Sequence, residues 1–301
     1  MEVGDEDSGE SDLSDLLFDG LSGRCRRLAI GTKGPVPLVV AVHGGTYTSA
    51  YFDVPGFSLL ERAAANAIPI LAPDRPGYGH TPLLPPAEAT IAGQARHLSH
   101  MLKDAWRHYG YGTRGIFLIG HSIGGAIVLR IASEAVDFPL IGLAVSGVGL
   151  RTPVEHRPMW EALPDVPRVD IPSELKDEVM FGPAGSYDAT MPAASHVADA
   201  PAPKPELVDI VSTWHDEVHN VLGRIAVPVH YRQGEFDRLW IVGQGEVSGF
   251  ASALKHSPRV DAAMMRGTGH CMDFHHVGPS LQLQQLGFAL QCAVETADHN
   301  R

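Results

Sequence analysis

The sequence lacks any apolar stretch close to the roughly 20 residues that a membrane-spanning helix requires. Its first residues, MEVGDEDSGESD, also lack the basic start and the apolar run of a signal peptide. Cysteine is scarce: Cys25, Cys271 and Cys292 are an odd number without the spacing of a metal site. We therefore expect a cytoplasmic protein with free thiols and without a membrane span.

Basic residues are absent from residues 1–19, which hold eight of the 35 acidic residues. Most of the formal net charge of -12 therefore belongs to this tail, and the remainder of the chain has no basic patch that would fit a nucleic acid. We predict that residues 1–22 form an acidic tail whose first part is disordered. The helical spacing of Leu13, Leu16 and Leu17 indicates that its end could dock on the body.

The rest of the chain alternates between short apolar runs and longer helical patterns. With 44% hydrophobic residues, 301 residues are enough for a large core. Continuous apolar runs favour strands buried on both faces, and they occur at residues 37–42, 68–72, 116–119, 140–145 and 227–231. Helices are predicted at residues 90–109, 123–135 and 277–294. This alternation predicts an α/β fold with a mostly parallel sheet between helices.

Residues 151–222 interrupt the alternation. They contain ten of the 23 prolines together with several large apolar residues, namely Met159, Trp160, Met180, Phe181, Met191 and Trp214. A disordered linker would lack such residues, so we interpret this segment as a lid inserted into the core. The predicted organisation is a tail (1–22), a core in two parts (23–150 and 223–301) and the lid (151–222). The alternative is a surface insertion with its own small core.

Residues 120–125, Gly-His-Ser-Ile-Gly-Gly, follow a predicted strand and begin a predicted helix. They match G-x-S-x-G, in which a sharp turn with small neighbours lifts a serine hydroxyl clear of the sheet. The N-terminal amides of the helix then point toward developing negative charge. The pattern indicates Ser122 as a nucleophile.

A serine nucleophile requires a base, and the chain has 16 histidines. His270 is our candidate, because it lies in a flexible, glycine-containing turn after the run 260–265 and just before the last predicted helix. We expect His275 and His276 to start that helix and His121 to point away from the nucleophile. His43 is expected to brace its own loop, and His80 lies in another loop.

The base requires a carboxylate that fixes its orientation. Asp237 follows the strand predicted at 227–231 and is our candidate, with Glu235 as its nearby competitor. Asp74 looks like part of a loop-bracing Asp–Arg arrangement, and Asp273 is too close to His270 in the chain. The order Ser122, Asp237, His270 has the acid in the middle.

Acyl transfer also requires an oxyanion hole made of backbone amides. Ile123, the residue after the nucleophile, would supply one amide. We expect the second from Gly45, in the His43-Gly44-Gly45 turn after the first long strand.

Five motifs, in this order, resemble those of the α/β-hydrolase superfamily, and the resemblance covers about residues 25–296. They are residues 43–45 (HGG), 74–79 (DRPGYG), 120–125 (GHSIGG), 234–237 (GEFD) and 267–270 (GTGH). The start of the sheet is less visible, since residues 23–35 show no clear strand pattern. The resemblance implies attack by Ser122, proton transfer through His270, and an acyl-enzyme that water cleaves, without metal or cofactor.

The substrate is expected to be an ester or thioester of a mostly apolar small molecule, because methionine and tryptophan suit apolar pockets. The residues expected to contact it are Tyr47, His121, Trp160, Met180, Trp214 and Trp240. A serine at this turn argues against dehalogenases and epoxide hydrolases, which use aspartate there. The oligomeric state, monomer or homodimer, stays open.

Other functions stay open as alternatives. The same catalytic residues would serve an acyltransferase, a cyclising thioesterase or a hydrolase of carbon–carbon bonds. A non-catalytic ligand receptor with the same fold is a less favoured alternative. The sequence His215-Asp216-Glu217-Val218-His219 has two histidines four apart, but its glutamate is one position late for a zinc protease motif.

Overall fold

The computed structural model describes residues 21–26 and 35–298. The predicted disorder of the tail and the docking of Leu13, Leu16 and Leu17 therefore lie outside the described residues. Leu21 and Ser22, which the prediction assigns to the tail, are buried against the body, each with 2% of its surface exposed. The packed body thus includes residues before the predicted boundary at 23.

The centre of the fold is a seven-stranded sheet, and a separate two-stranded ribbon lies in the inserted segment. The strands of the described residues are β1 (Gly23–Arg26), β2 (Leu38–Val42), β3 (Ile70–Pro73), β4 (Ile116–His121), β5 (Leu140–Ser146), β6 (Arg168–Val169), β7 (Ala202–Pro203), β8 (Val229–Gly234) and β9 (Val260–Met265). The order in the large sheet is β1-β3-β2-β4-β5-β8-β9, and β6 pairs with β7. Only β1, the strand that had no clear sequence pattern, is antiparallel to its neighbour in the large sheet.

Helices cover both faces of this sheet, which confirms the predicted α/β class. They are α1 (Leu59–Ala65), α2 (Ile91–Tyr109), α3 (Ile123–Ala132), α4 (His156–Glu161), α5 (Ser173–Met180), α6 (Met191–Ser195), α7 (Lys204–Ile210), α8 (Thr213–Leu222), α9 (Gln244–Ala253) and α10 (Gly278–Asp298). One core contains residues of α2, α3 and α9, and the other contains residues of α1 and α10.

The central strands β2 and β3 are apolar at every position because both of their faces are buried. In β2, Val40 belongs to the first core and its neighbours Val39 and Ala41 belong to the second. Helix α2 instead buries a single stripe, as its spacing predicts, through Ile91, Ala95, Leu98 and Leu102. The Thr90 side chain caps this helix by accepting a hydrogen bond from the Gly93 amide.

The inserted segment (residues 151–222) contains α4 to α8 and the β6–β7 ribbon. Its two halves differ. Helices α7 and α8 bury apolar residues such as Leu207 and Val218 in the main core, whereas α4 has no buried residue. The second half of the segment is therefore part of the folded body.

None of the helices within the described part of the chain is long and apolar enough to cross a membrane.

Candidate active site

Ser122 lies at the carboxyl end of β4, at the turn into α3. Its backbone has φ 54° and ψ -125°, a positive φ that is uncommon for a residue with a side chain. Small neighbours are required here, because a Cβ atom on Gly124 would lie 2.2 Å from the Val42 carbonyl oxygen. The Ser122 amide donates to the Ser146 carbonyl oxygen at 2.8 Å, which attaches the turn to β5.

Asp237 and His270 follow β8 and β9, and they are in contact. His270 Nδ1 lies 2.8 Å from Asp237 Oδ2, and both side chains are buried. The second oxygen, Asp237 Oδ1, accepts from the Leu239 amide at 2.9 Å. The His270 ring also packs 4.9 Å, between centroids, from the ring of His121, the residue before Ser122. Among the described residues, the buried His270 Nε2 has no hydrogen-bond partner.

The competing carboxylates have other partners. Glu235 Oε2 accepts from the Gly267 amide at 2.8 Å, and Asp273 Oδ2 accepts from the Tyr51 hydroxyl at 3.0 Å. Asp74 Oδ1 accepts from the Ser49 amide at 2.7 Å, while Arg75 donates to backbone carbonyls of the 43–47 loop, so the two residues brace loops through different partners. These carboxylates therefore brace loops and do not touch His270.

Two of the competing histidines are also engaged. His275 Nε2 accepts from the amides of Gly269 and Gly182, so this ring braces the turn that precedes α10. His43 Nε2 accepts from the Arg75 amide at 3.0 Å. Burial, with a further contribution from Arg75, lowers the pKa of His43 to about 3, so its ring is neutral at physiological pH.

The 43–47 loop approaches Ser122 closely. A Cβ atom on Gly44 would lie 2.9 Å from the Ser122 Cβ, so only glycine fits there without a shift. Neither the Gly45 amide nor the Ile123 amide, the two predicted oxyanion donors, has an acceptor among the described residues. Both residues line the cavity described below.

Arg75 fixes the direction of the Gly45 amide. Its Nη2 donates to the Gly44 carbonyl oxygen at 2.9 Å, and its Nε donates to the His43 carbonyl oxygen at 2.9 Å. In a trans peptide the carbonyl and the following N–H point in opposite directions, so the Gly45 N–H points away from Arg75. Arg75 is in turn paired with Glu206 of α7 at 2.7 Å, and both side chains are completely buried.

Glu206 is the centre of this buried cluster. Its carboxylate pairs with Arg75 through both oxygens and also accepts hydrogen bonds from the Tyr78 hydroxyl and the Gln94 amide. The sequence analysis missed Glu206, because no local signal marks a carboxylate that pairs with a residue 131 positions away. The cluster joins the inserted segment to the 43–47 loop.

A cavity of about 420 Å³ lies between Ser122 and the inserted segment. Apolar residues of that segment form much of its wall: Met159, Trp160, Leu163, Val169, Ile171, Leu175, Val179, Met180, Leu207, Ile210 and Val211. Met159 and Leu175 are 64% and 56% exposed, so the cavity opens to solvent between α4 and α5.

Of the six residues predicted to contact substrate, Trp160, Met180 and Trp240 line this cavity. The other three, Tyr47, His121 and Trp214, do not line it. Tyr47 is covered by the Lys176 ammonium group, 3.9 Å above its ring, and His121 is stacked on Tyr51 at 4.6 Å between ring centroids. The indole of Trp214 is buried in the main core and donates to the Gly149 carbonyl oxygen.

The side chains of the three cysteines are buried thiols. Cys271 follows His270 in the chain, but burial raises the pKa of its thiol to about 12. A thiol that stays protonated at neutral pH is a poor nucleophile, so Ser122 has no competitor in Cys271.

The two histidines of the 215–219 sequence are exposed on α8, and Glu217 pairs with Arg130 of α3 at 2.5 Å. Within the described ranges, no group of three or more histidine, cysteine, aspartate or glutamate side chains is placed to hold a metal ion.

A model of the alpha/beta hydrolase family matches residues 39–279. The chain is also 30% identical over 118 residues to protein phosphatase methylesterase 1 of Pongo abelii, and equally so to that of Homo sapiens. This match covers 39% of the chain and 28% of the relative. The chain thus spans less than a third of the length of the curated relatives it matches.

Solved structures show the same fold at low sequence identity. A thermophilic esterase from Thermogutta terrifontis superposes with a TM-score of 0.68 at 16% identity, over 91% of this chain and 94% of the esterase. A lipase-esterase related protein from Clostridium acetobutylicum gives a TM-score of 0.66 at 18% identity, over 90% of this chain and 100% of that protein.

Proposed function

The chain belongs to the alpha/beta hydrolase family, and we propose that it is a serine hydrolase that cleaves a carboxylic ester or thioester of a mostly apolar small molecule. Ser122 is the proposed nucleophile, His270 its base and Asp237 the residue that orients the base. The inserted segment is the proposed lid over the acyl-binding cavity.

One observation supports this proposal above the others. The buried His270 holds Asp237 with one ring nitrogen, while its second ring nitrogen has no partner among the described residues. Buried polar atoms are nearly always satisfied, and an exception on a ring packed against His121, next to the cavity-lining Ser122, fits a group that exchanges a proton with substrate.

In the proposed reaction the Ser122 oxygen attacks the carbonyl carbon while His270 Nε2 accepts the hydroxyl proton. Asp237 stabilises the imidazolium that forms. The carbonyl oxygen gains negative charge and accepts hydrogen bonds from the amides of Gly45 and Ile123. His270 then gives its proton to the leaving group, and water cleaves the acyl-enzyme by the same steps.

The cavity supports an apolar acyl group. Its wall is mainly aliphatic and aromatic, and its volume of about 420 Å³ is in the range of small-molecule sites. The partial likeness to a protein phosphatase methylesterase favours an ester over a carbon–carbon bond. An acyltransferase or a cyclising thioesterase would use the same residues, with an alcohol or amine in place of water.

The proposal is tested by labelling the purified protein with a fluorophosphonate probe and mapping the adduct by mass spectrometry. We expect a single adduct on Ser122, because only an activated serine displaces fluoride at a useful rate. The adduct should vanish in Ser122→Ala and fall to background in His270→Ala. Heat-denatured wild type serves as the control for non-specific labelling.

The products of turnover then identify the molecule, water or an added alcohol or amine, that accepts the acyl group. The wild type should hydrolyse 4-nitrophenyl butyrate and release butyrate, whereas a transferase would move the butyryl group to an added alcohol or amine. A folded wild type with neither adduct nor turnover would contradict the proposal and favour a ligand receptor.

A further inference from the structure

Lys176 of α5 is buried beside the 43–47 loop, with only 3% of its side chain exposed. Its ammonium group donates to the Thr46 carbonyl oxygen at 3.0 Å, pairs with Asp199 and lies over the Tyr47 ring. Burial lowers the pKa of this amine, while Asp199 opposes the shift. A buried ammonium group is costly even when paired, and an apolar residue would form this part of the cavity wall without that cost.

Thr46 adopts an unfavourable backbone conformation. Its φ is 63°, a genuine outlier for a β-branched residue, and such strain persists only where the surroundings impose it. Here the Thr46 N–H donates to the Tyr78 hydroxyl, and its carbonyl oxygen accepts from both Lys176 and the Ala200 amide. The inserted segment thus supplies two of the three hydrogen bonds that hold this residue.

Tyr47 and Asp199 form an isolated antiparallel bridge, and the Thr48 amide donates to the Ala198 carbonyl oxygen at 2.8 Å. The inserted segment is therefore also joined directly to the backbone of the loop that contains Gly45. Lys176 is the only charged side chain among the described residues that contacts the Thr46 carbonyl.

We propose that Lys176 is a positioning residue of the oxyanion hole. Its ammonium group holds the Thr46 carbonyl, and thereby holds the turn that presents the Gly45 amide to the reacting carbonyl oxygen. This inference rests on the proposed serine hydrolase function. It makes the inserted segment a structural component of the catalytic centre as well as a cover for the cavity.

Binding of an anionic substrate is a different role for a lysine in a cavity wall. The contacts disfavour it, because the three N–H groups already face the Thr46 carbonyl, the Asp199 carboxylate and the Tyr47 ring. The two roles predict different kinetics. A positioning residue affects kcat on neutral substrates, whereas an anion-binding residue affects KM on anionic substrates.

The test compares Lys176→Met with the wild type in hydrolysis of 4-nitrophenyl butyrate, and in inhibition by a butyl trifluoromethyl ketone. That inhibitor forms an oxyanion on the serine and so reports on the hole. We expect kcat to fall about 10-fold with KM within about threefold, and the inhibition constant to rise about 10-fold. Lys176→Arg should recover most of the kcat, since it retains the charge and a donor.

Lys204→Met is the matched control. Lys204 also lies in the inserted segment and donates to a backbone carbonyl, that of Leu163, but it does not touch the 43–47 loop. Its kinetic constants should stay within about twofold of the wild type. If Lys176→Met is too unstable to assay, Asp199→Asn removes the countercharge of Lys176 and should lower kcat about threefold at constant KM.

Three results would overturn the inference: kcat within twofold of the wild type in Lys176→Met, an unchanged kcat in Asp199→Asn, or an effect confined to the KM of anionic esters. A wild type without Ser122-dependent turnover would instead remove the proposed function, and the inference with it. The Ser122→Ala variant in the same series separates these two failures.

Discussion

The candidate site contains two buried ion pairs, and they differ in how completely their polar atoms are hydrogen-bonded. In the Arg75–Glu206 pair, both charged groups are completely buried and have further polar partners. In the Asp237–His270 pair, the carboxylate is satisfied, but His270 Nε2 has no partner among the described residues.

This difference separates a structural pair from the pair that we propose to be catalytic. A saturated pair has no free donor or acceptor for a substrate, so its effect is to hold the 43–47 loop and α7 together. A pair with one unsatisfied atom retains a position at which a proton can be exchanged. Burial alone does not distinguish the two pairs, whereas the count of hydrogen bonds does.

The largest expected effect is on activity, at the unsatisfied pair. His270→Gln should lower kcat/KM about 10⁴-fold, equivalent to about 5.5 kcal/mol of transition-state stabilisation, because it removes the base proposed to take the Ser122 proton. Its unfolding midpoint in urea should change less than that of the Arg75 variant below. More than a tenth of the wild-type activity would show that His270 is not the base.

The next effect is on stability, at the saturated pair. Arg75→Met should lower the free energy of unfolding by about 3–5 kcal/mol, because it leaves the Glu206 carboxylate buried without its countercharge. The double variant Arg75→Met, Glu206→Leu should lose less, and urea unfolding of both variants measures this.

An exposed pair is the control for this prediction. Arg151 is 54% exposed and pairs with Glu246, so Arg151→Met should lower the free energy of unfolding much less than Arg75→Met, because solvent screens an exposed pair. A single Arg75 variant that loses no more than the Arg151 variant would contradict the assigned role of the buried pair.

A smaller effect is expected from pH at His43, the histidine that braces Arg75. The pKa of His43 is lowered from 6.5 to about 3, so below about pH 6.5 the unfolded chain binds a proton that the folded protein does not. Stability from this group is complete above about pH 6.5 and is lost as the pH falls toward 3. The loss is about 1.4 kcal/mol for each pH unit.

His43→Gln retains an oxygen that can accept from the Arg75 amide but does not titrate. Urea unfolding between about pH 7 and about pH 5 should show a shallower decline for this variant, by about 1.4 kcal/mol per pH unit. If the free energy of unfolding of the two proteins fell equally with pH, folding would not lower the pKa of His43, and this prediction would be wrong.

The smallest effect is expected on substrate preference. Trp160 lines the cavity, so Trp160→Ala should enlarge it and raise the relative kcat/KM for longer acyl chains about fivefold. Trp214→Phe is the comparison, because Trp214 is buried outside the cavity: it should lower stability by about 1 kcal/mol and leave the preference unchanged. The preference of each variant is measured as kcat/KM for 4-nitrophenyl esters from acetate to decanoate, and stability is measured by urea unfolding. Equal ester profiles for Trp160→Ala and the wild type would contradict the assignment of Trp160 to the wall of the acyl-binding cavity.

The sequence alone indicated the parallel sheet and the positions of Ser122, Asp237 and His270. Strands buried on both faces are recognisable as continuous apolar runs, and glycine-rich turns mark where those runs end. Because the carboxyl ends of parallel strands share one edge of the sheet, residues after β4, β8 and β9 were expected to lie near one another. Strand β1 escaped prediction because it has only four residues, Gly23–Arg26, with no continuous apolar run.

Only the tertiary structure decided which side chains contact one another across the inserted segment. Nothing local distinguishes Trp160, which lines the cavity, from Trp214, which lies in the core, since both are tryptophans in short helical stretches of the same segment. Likewise the partners of Arg75 and Lys176 are distant in the chain. A local pattern determines backbone conformation and the buried face of an element. Contacts between distant elements depend on how those elements pack. That packing determined which residues form the cavity wall and which side chains, Arg75 and Lys176, hold the carbonyl oxygens of the 43–47 loop.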